Sequence, residues 1–153
     1  MKRIIESRKL LNADKTTDLA NLKLIYRNLI KEWHPDKFQD GDAKKEEAAL
    51  TSKNIIEAYH LLVSVNPETH ALNSESYANT INNSGIDDFT YKGQTLKVTF
   101  HDGSVYEYFG VPNNVYTKFL NSPGQSRFAR RHIFNEYLHR NVIKASVAVE
   151  ELV

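Results

Sequence analysis

The chain contains no cysteine. Disulfides, thiolate nucleophiles and thiolate-based metal sites are therefore excluded, and a reducing compartment fits. It also lacks a strong charge of either sign. Twenty Lys and Arg stand against nineteen Asp and Glu, a net +1, so no global field draws it to nucleic acid or membrane and any such binding must be local. No apolar run approaches the ~20 residues of a membrane span. The opening MKRIIESRKLLN starts basic but has no apolar stretch of signal length. A soluble, cytoplasmic protein with no membrane partner is the expectation. No Gly-rich phosphate loop and no nucleophile elbow is present, so an enzyme is not expected. There is no internal repeat. Apolar residues at 41% and charged residues at 25% are ordinary for globular chains, and 153 residues suffice for one domain or two small ones.

What is present is concentrated in Leu22–Lys37, LKLIYRNLIKEWHPDK. Leu19, Leu22, Tyr26, Leu29, Ile30 and Trp33 recur at spacings of three and four, which predicts one buried helix face. Lys23, Arg27 and Lys31 form a column of cations, one turn apart, on the face left free. Pro35 lacks an N–H and drives His34 out of helical backbone, so the helix stops there. His34, Pro35 and Asp36 are then displayed at the mouth of a turn-rich loop, His34–Asp42. Two other readings of this tripeptide are weaker. A metal site is disfavoured by the intervening Pro35 and by the lack of a second His or carboxylate pair at ligand spacing. A His34–Asp36 catalytic dyad has no nucleophile to serve. No metal and no cofactor is expected.

The flanking segments complete a helical module. Ile4 to Leu11 is a short amphipathic piece, and Asp18 suits the N-cap of the helix from Leu19. Asp42 can cap the next helix, whose inner face is marked by Ala49, Ser52, Ile55, Ile56, Tyr59, Leu62 and Val63. The loop length favours an antiparallel hairpin, since neither helix alone is stable in water. Asn66-Pro67 reads as a cap and first helical residue, with a short helix to Leu72. The Asn- and Ser-rich stretch 73–83 reads as a linker between domains 1–72 and 84–140.

After Gly85 the period switches from 3.6 to 2. Strands are expected at Asp88–Tyr91, Thr95–Phe100 and Ser104–Phe109. The second hairpin has two candidate registers. A two-residue loop sets Tyr106 and Tyr108 beside Lys97 and Thr99. A three-residue loop, His101–Gly103 with Gly103 left-handed, pairs Val98 with Tyr106, Leu96 with Tyr108 and Lys97 with Glu107; it satisfies more residues. Val115, Phe119 and Leu120 mark one helix. Ser126 is expected to cap a last helix to about Arg140, with Ala129, Ile133, Phe134, Tyr137 and Leu138 inward. The tail 141–153 is left unplaced. The fold class is thus α+β: a helical hairpin, then a small antiparallel sheet with two helices.

Residues to about 65 resemble a J domain, through Leu22-Lys23, Tyr26-Arg27, Leu29, His34-Pro35-Asp36-Lys37, Ile55 and Glu57-Ala58-Tyr59. Asn28 and Ser52 depart from that family's pattern, at positions often cationic and aromatic. The resemblance implies a partner, a seventy-kilodalton heat-shock chaperone whose ATPase is stimulated through His34, Pro35, Asp36, Lys23, Tyr26 and Arg27; Lys31 extends the same column. Residues 84–137 resemble the KTSC domain, a small module found alone in bacteria and on some lysyl-tRNA synthetases, through Thr95-Leu96, Val98, Phe100, Gly103, Tyr106-Glu107-Tyr108, Val111-Pro112 and Phe128. RNA binding has been suggested for that family.

Lys118–Lys144 carries six Lys and Arg against Glu136 alone. Arg127, Arg131, Arg140 and Lys144 are the candidate nucleic-acid contacts, while Arg130 falls inside the apolar arc of its helix and is set aside. Tyr106 and Tyr108 are either core or a base-stacking platform, and the preferred register makes them core. The expected function is a J-domain co-chaperone with a client- or RNA-binding second module. A tRNA- or RNA-binding protein without chaperone activity, and a protein-interaction adaptor, are the rival classes.

Overall fold

The computed structural model describes residues 1–142. Lys144 and the expected tail beyond residue 142 lie outside them. The fold is α+β, and the chain divides into two compact units at Glu68/Thr69.

The first unit is helical. α1 spans Lys2–Leu11, α2 Leu19–Trp33 and α3 Ala43–Val65. Asp18 and Asp42 cap α2 and α3 as their positions predict, accepting from the N–H groups of Asn21 and Lys44, each at 2.9 Å. α1 and α2 both pack on α3. Ile4, Leu11, Leu22, Tyr26, Ile55, Tyr59 and Leu62 are buried. The inner face of α3 is shifted slightly from expectation. Ala48 and Ala58 are buried, whereas Ala49 is exposed and Ile56 half-buried. The small alanines let neighbouring helices approach where larger side chains would hold them apart.

α4 runs Pro67–Asn83 and overturns the linker expected at 73–83. Asn66 caps it, its side chain accepting from the Glu68 N–H at 3.0 Å. Its Asn and Ser residues are largely on the solvent side, while Tyr77, Thr80 and Ile81 recur at helical spacing and are buried. Tyr77 and Ile81 belong to the core of the second unit.

That unit is built on a four-stranded antiparallel sheet in the order β1-β2-β3-β4, with β1 Ile86–Lys92, β2 Thr95–Phe100, β3 Val105–Phe109 and β4 Leu138–Asn141. The three-residue register holds. Leu96 pairs with Tyr108, Lys97 with Glu107 and Val98 with Tyr106, and Gly103 sits at φ +89°. A β-carbon there meets no neighbouring atom, so glycine is needed for the backbone angle alone. α5 spans Asn113–Asn121 and α6 Gln125–His132. α6 opens one residue before Ser126, which therefore lies inside the first turn and is not the cap. It ends well before Arg140. Ile133 and Phe134 both donate to the Ala129 carbonyl, at 2.9 and 2.8 Å, and the chain turns away to form β4 along β3. Ile133 and Phe134 are still buried, so the apolar arc was read correctly and its geometry was not.

Candidate docking site

Two physical causes build the His34–Asp36 turn. Pro35 cannot continue α2, and the backbone at His34 is accordingly extended at φ −62°, ψ 129°. Pro35–Lys37 then forms one 3-10 turn, closed by Lys37 N–H to the His34 carbonyl at 3.0 Å and Phe38 N–H to that of Pro35 at 3.1 Å. The His34 ring acts as an N-cap, its Nδ1 accepting from the Asp36 N–H at 3.2 Å. That bond requires Nδ1 to be unprotonated, which leaves the Nε2–H pointing away from the turn. The Asp36 carboxylate lies 3.6 Å from the same Nδ1 and is 88% exposed; the His34 side chain is 51% exposed. The turn therefore offers a ring N–H donor and a carboxylate acceptor to solvent.

A residue that the sequence marks on the inner face of α3, without giving it a role, lies at the base of this turn. Ser52, buried on α3, donates its hydroxyl to the Trp33 carbonyl at 2.7 Å. That carbonyl is the last of α2, and the Lys37 N–H that would otherwise approach it is bonded to His34 instead. The signal was present as a polar residue on the inner face of α3.

The other predicted docking residues separate. Arg27 and Lys31 are exposed and Lys23 is half-buried, so the cation column lies along an accessible side of α2. Tyr26 does not join it. It is 7% exposed and stacked on Tyr59, centroids 4.2 Å apart and planes 14° apart, and burial pushes its hydroxyl pKa up. Its ring packs α2 on α3.

In the second unit, Tyr106 and Tyr108 are core residues. Tyr108 has no exposed surface and its hydroxyl lies 3.0 Å from that of Tyr77; Asn141 donates to the Tyr106 hydroxyl at 3.2 Å. Burial raises the pKa of all three tyrosines. They are closed to a nucleobase. Arg140 is likewise committed. Its guanidinium holds the Glu107 carboxylate with Nε and a terminal nitrogen, both at 2.7 Å, with 15% and 12% of the two side chains exposed. Glu107 lies opposite Lys97 on β2 and Arg140 on β4, and it forms an ion pair with Arg140. Arg127 and Arg131 are exposed on α6, and Arg130 is half-buried.

β4 also brings in a group the sequence did not reveal. The His139 ring is stacked between His70 of α4, at 4.3 Å, and Tyr77, at 4.1 Å. His70 Nε2 lies 2.6 Å from the His139 carbonyl. Burial lowers the pKa of both histidines, that of His139 to about 4, with the neighbouring His70 adding to the effect. Among the described residues no cluster of three metal-ligating side chains occurs, and no helix is long and apolar enough to cross a membrane.

Comparison with known families places the KTSC domain at residues 82–137. No J-domain match accompanies it, and no curated protein matches the chain. The KTSC match opens at the end of α4 and closes just before β4. It includes the buried Tyr106 and Tyr108 and leaves His70, His139 and Arg140 outside.

Proposed function

We propose that this protein is a J-type co-chaperone, a non-enzymatic partner that recruits a seventy-kilodalton heat-shock chaperone through its helical unit and stimulates its ATPase, while its KTSC unit supplies the cargo. The observation that carries this is the His34-Pro35-Asp36 turn. It is self-braced, exposed, and set at the end of a helix whose accessible side bears Arg27 and Lys31. A turn serving only to reverse the chain has no need for an exposed imidazole and an exposed carboxylate side by side. The electrostatics suit an acidic groove, which the cations steer toward and the turn then engages.

The decisive measurement is chaperone ATPase rate with the full chain, comparing wild type with His34→Gln and Asp36→Asn. Both side chains are exposed, so each substitution is expected to cost under ~0.5 kcal/mol of stability, with the unfolding midpoint within a few degrees of wild type. Stimulation is expected to vanish in both. A wild-type protein that stimulates no chaperone from its own cell sinks the proposal.

A further inference from the structure

The cargo surface of the KTSC unit lies elsewhere than on Tyr106 and Tyr108. Residues 113–132, covering α5 and α6, contain Lys118, Arg127, Arg130 and Arg131 and not one carboxylate. Lys118, Arg127, Arg131 and His132 are exposed, and Arg127 and Arg131 stand one turn apart on α6. A run of rings leads up to these cations. Tyr91 of β1 is stacked on Tyr116 of α5 at 4.0 Å and 12°; Tyr116 lies 6.3 Å from Phe119, Phe119 lies 6.4 Å from Phe128 of α6, and Phe128 contacts His132 at 4.8 Å. Tyr91, Tyr116 and Phe128 are only partly buried, and they rim the core instead of filling it. The Tyr91 hydroxyl donates to the Val111 carbonyl and lies in hydrogen-bond range of Asn113 Oδ1, at 2.6 and 2.9 Å. Of the two acids on β1, Asp88 precedes Phe89 and alternates to the opposite face of the strand from Phe89 and Tyr91, and Asp87 lies 3.6 Å from the His101 ring.

From this juxtaposition we infer that the α5–α6 face and its aromatic rim bind single-stranded nucleic acid, with Arg127 and Arg131 on phosphates and the rim rings against bases. Cations alone would serve an acidic peptide equally well. The partly buried rings of Tyr91, Tyr116 and Phe128, the last lying between Arg127 and Arg131 on α6, offer what a single strand uses and a polyanionic peptide does not. A duplex is disfavoured because its bases are already stacked. The inference names the cargo for the co-chaperone reading and rests on it for biological sense, but its test needs no chaperone.

The test is a fluorescence titration of the full chain with a labelled oligouridylate of about a dozen nucleotides at ~50–200 mM salt, against an abasic strand of equal length and charge and against polyglutamate. Oligouridylate is expected to bind roughly tenfold or more tighter than the abasic strand, because stacking is lost with the bases. Arg127→Ala with Arg131→Ala is expected to weaken binding about tenfold or more and to lower the log–log salt slope by ~1.4, at ~0.7 per phosphate contact. The double variant should keep the wild-type unfolding midpoint, and His34→Gln should bind the oligonucleotide normally. Tyr116→Leu is a second probe, read only alongside its midpoint. Equal binding of the abasic strand or polyglutamate, an unaffected double variant, or no binding at tens of micromolar protein each overturns the inference.

Discussion

The two units use their charges in opposite ways. In the helical unit, the groups singled out by chemistry are exposed and local. His34, Pro35 and Asp36 are consecutive, and the cations that flank them sit on the adjoining helix. In the sheet unit, the most basic stretch of the sequence is divided by the fold. Arg140 is drawn into an ion pair with Glu107, while Arg127 and Arg131 stay in solvent. A motif carried by neighbouring residues survives folding as written. A surface assembled from several elements is decided by which side chains the sheet consumes.

The sharpest way to break this contrast is to treat the arginines as equivalent. Arg140→Ala removes the ion pair from a Glu107 carboxylate whose side chain is 12% exposed, and is expected to cost on the order of 2–3 kcal/mol. Arg127→Ala, exposed and without such a partner, is expected to stay within ~0.5 kcal/mol. Denaturant unfolding of the two variants checks this. Similar losses would mean that the Glu107–Arg140 pair is worth no more than a surface contact.

The next effect is set by pH. His139 titrates near 4 in the folded chain and near 6.5 unfolded, so between those values the unfolded state binds more protons. Stability from this group is complete above about pH 6.5 and declines as pH falls toward 4, and the lowered pKa of His70 acts in the same direction. After discounting for partial exposure of the ring, the loss is on the order of 1–2 kcal/mol. Unfolding midpoints between pH 7 and 4 should drop more steeply in wild type than in His139→Phe. Parallel curves would show that the stack is not what resists the proton.

These cases also show what was legible in the sequence. The α+β class, the helix caps Asp18, Asp42 and Asn66, the α2 stop at Pro35 and the three-residue hairpin were readable, because each follows from local backbone chemistry or from a period of 2 or 3.6. What failed depended on distant partners. Residues 73–83 looked like a linker because Asn and Ser dominate, yet Tyr77, Thr80 and Ile81 suffice to anchor a helix once a core exists to receive them. Leu138–Asn141 fits a helical arc as well as a strand, and only pairing with β3 decides. Ser52 was noticed as a departure, but its bond to Trp33 depends on α3 reaching the end of α2.

Ser52→Ala is the next probe, at about 1 kcal/mol for one lost hydrogen bond to a carbonyl that water can partly reach. Its functional consequence is more telling than its cost. If the bond fixes the base of the His34–Asp36 turn, chaperone stimulation should fall by more than the loss of folded protein explains, and Ser52→Thr should restore it. Stimulation that tracks the folded fraction alone would make Ser52 a core contact and nothing further.

The smallest effect on stability belongs to the cation column. Among the described residues Lys23, Arg27 and Lys31 make no ion pair, and two of them are exposed, so replacing all three by Ala should leave the fold close to neutral, aside from the packed stem of Lys23. Their contribution is to encounter. Charges of this kind act over about 8–10 Å at physiological salt and speed the approach of an oppositely charged surface, while the bound complex depends on the turn. The triple variant is therefore expected to associate with the chaperone more slowly, by roughly an order of magnitude at low salt, with a dissociation rate changed far less. Its association rate should also lose most of its dependence on ionic strength. Stopped-flow association at several salt concentrations separates this from a contact role. A slowed association with the wild-type salt slope would mean that the column touches the partner without steering it. A changed dissociation rate alone would place the cations inside the interface, beside the His34–Asp36 turn.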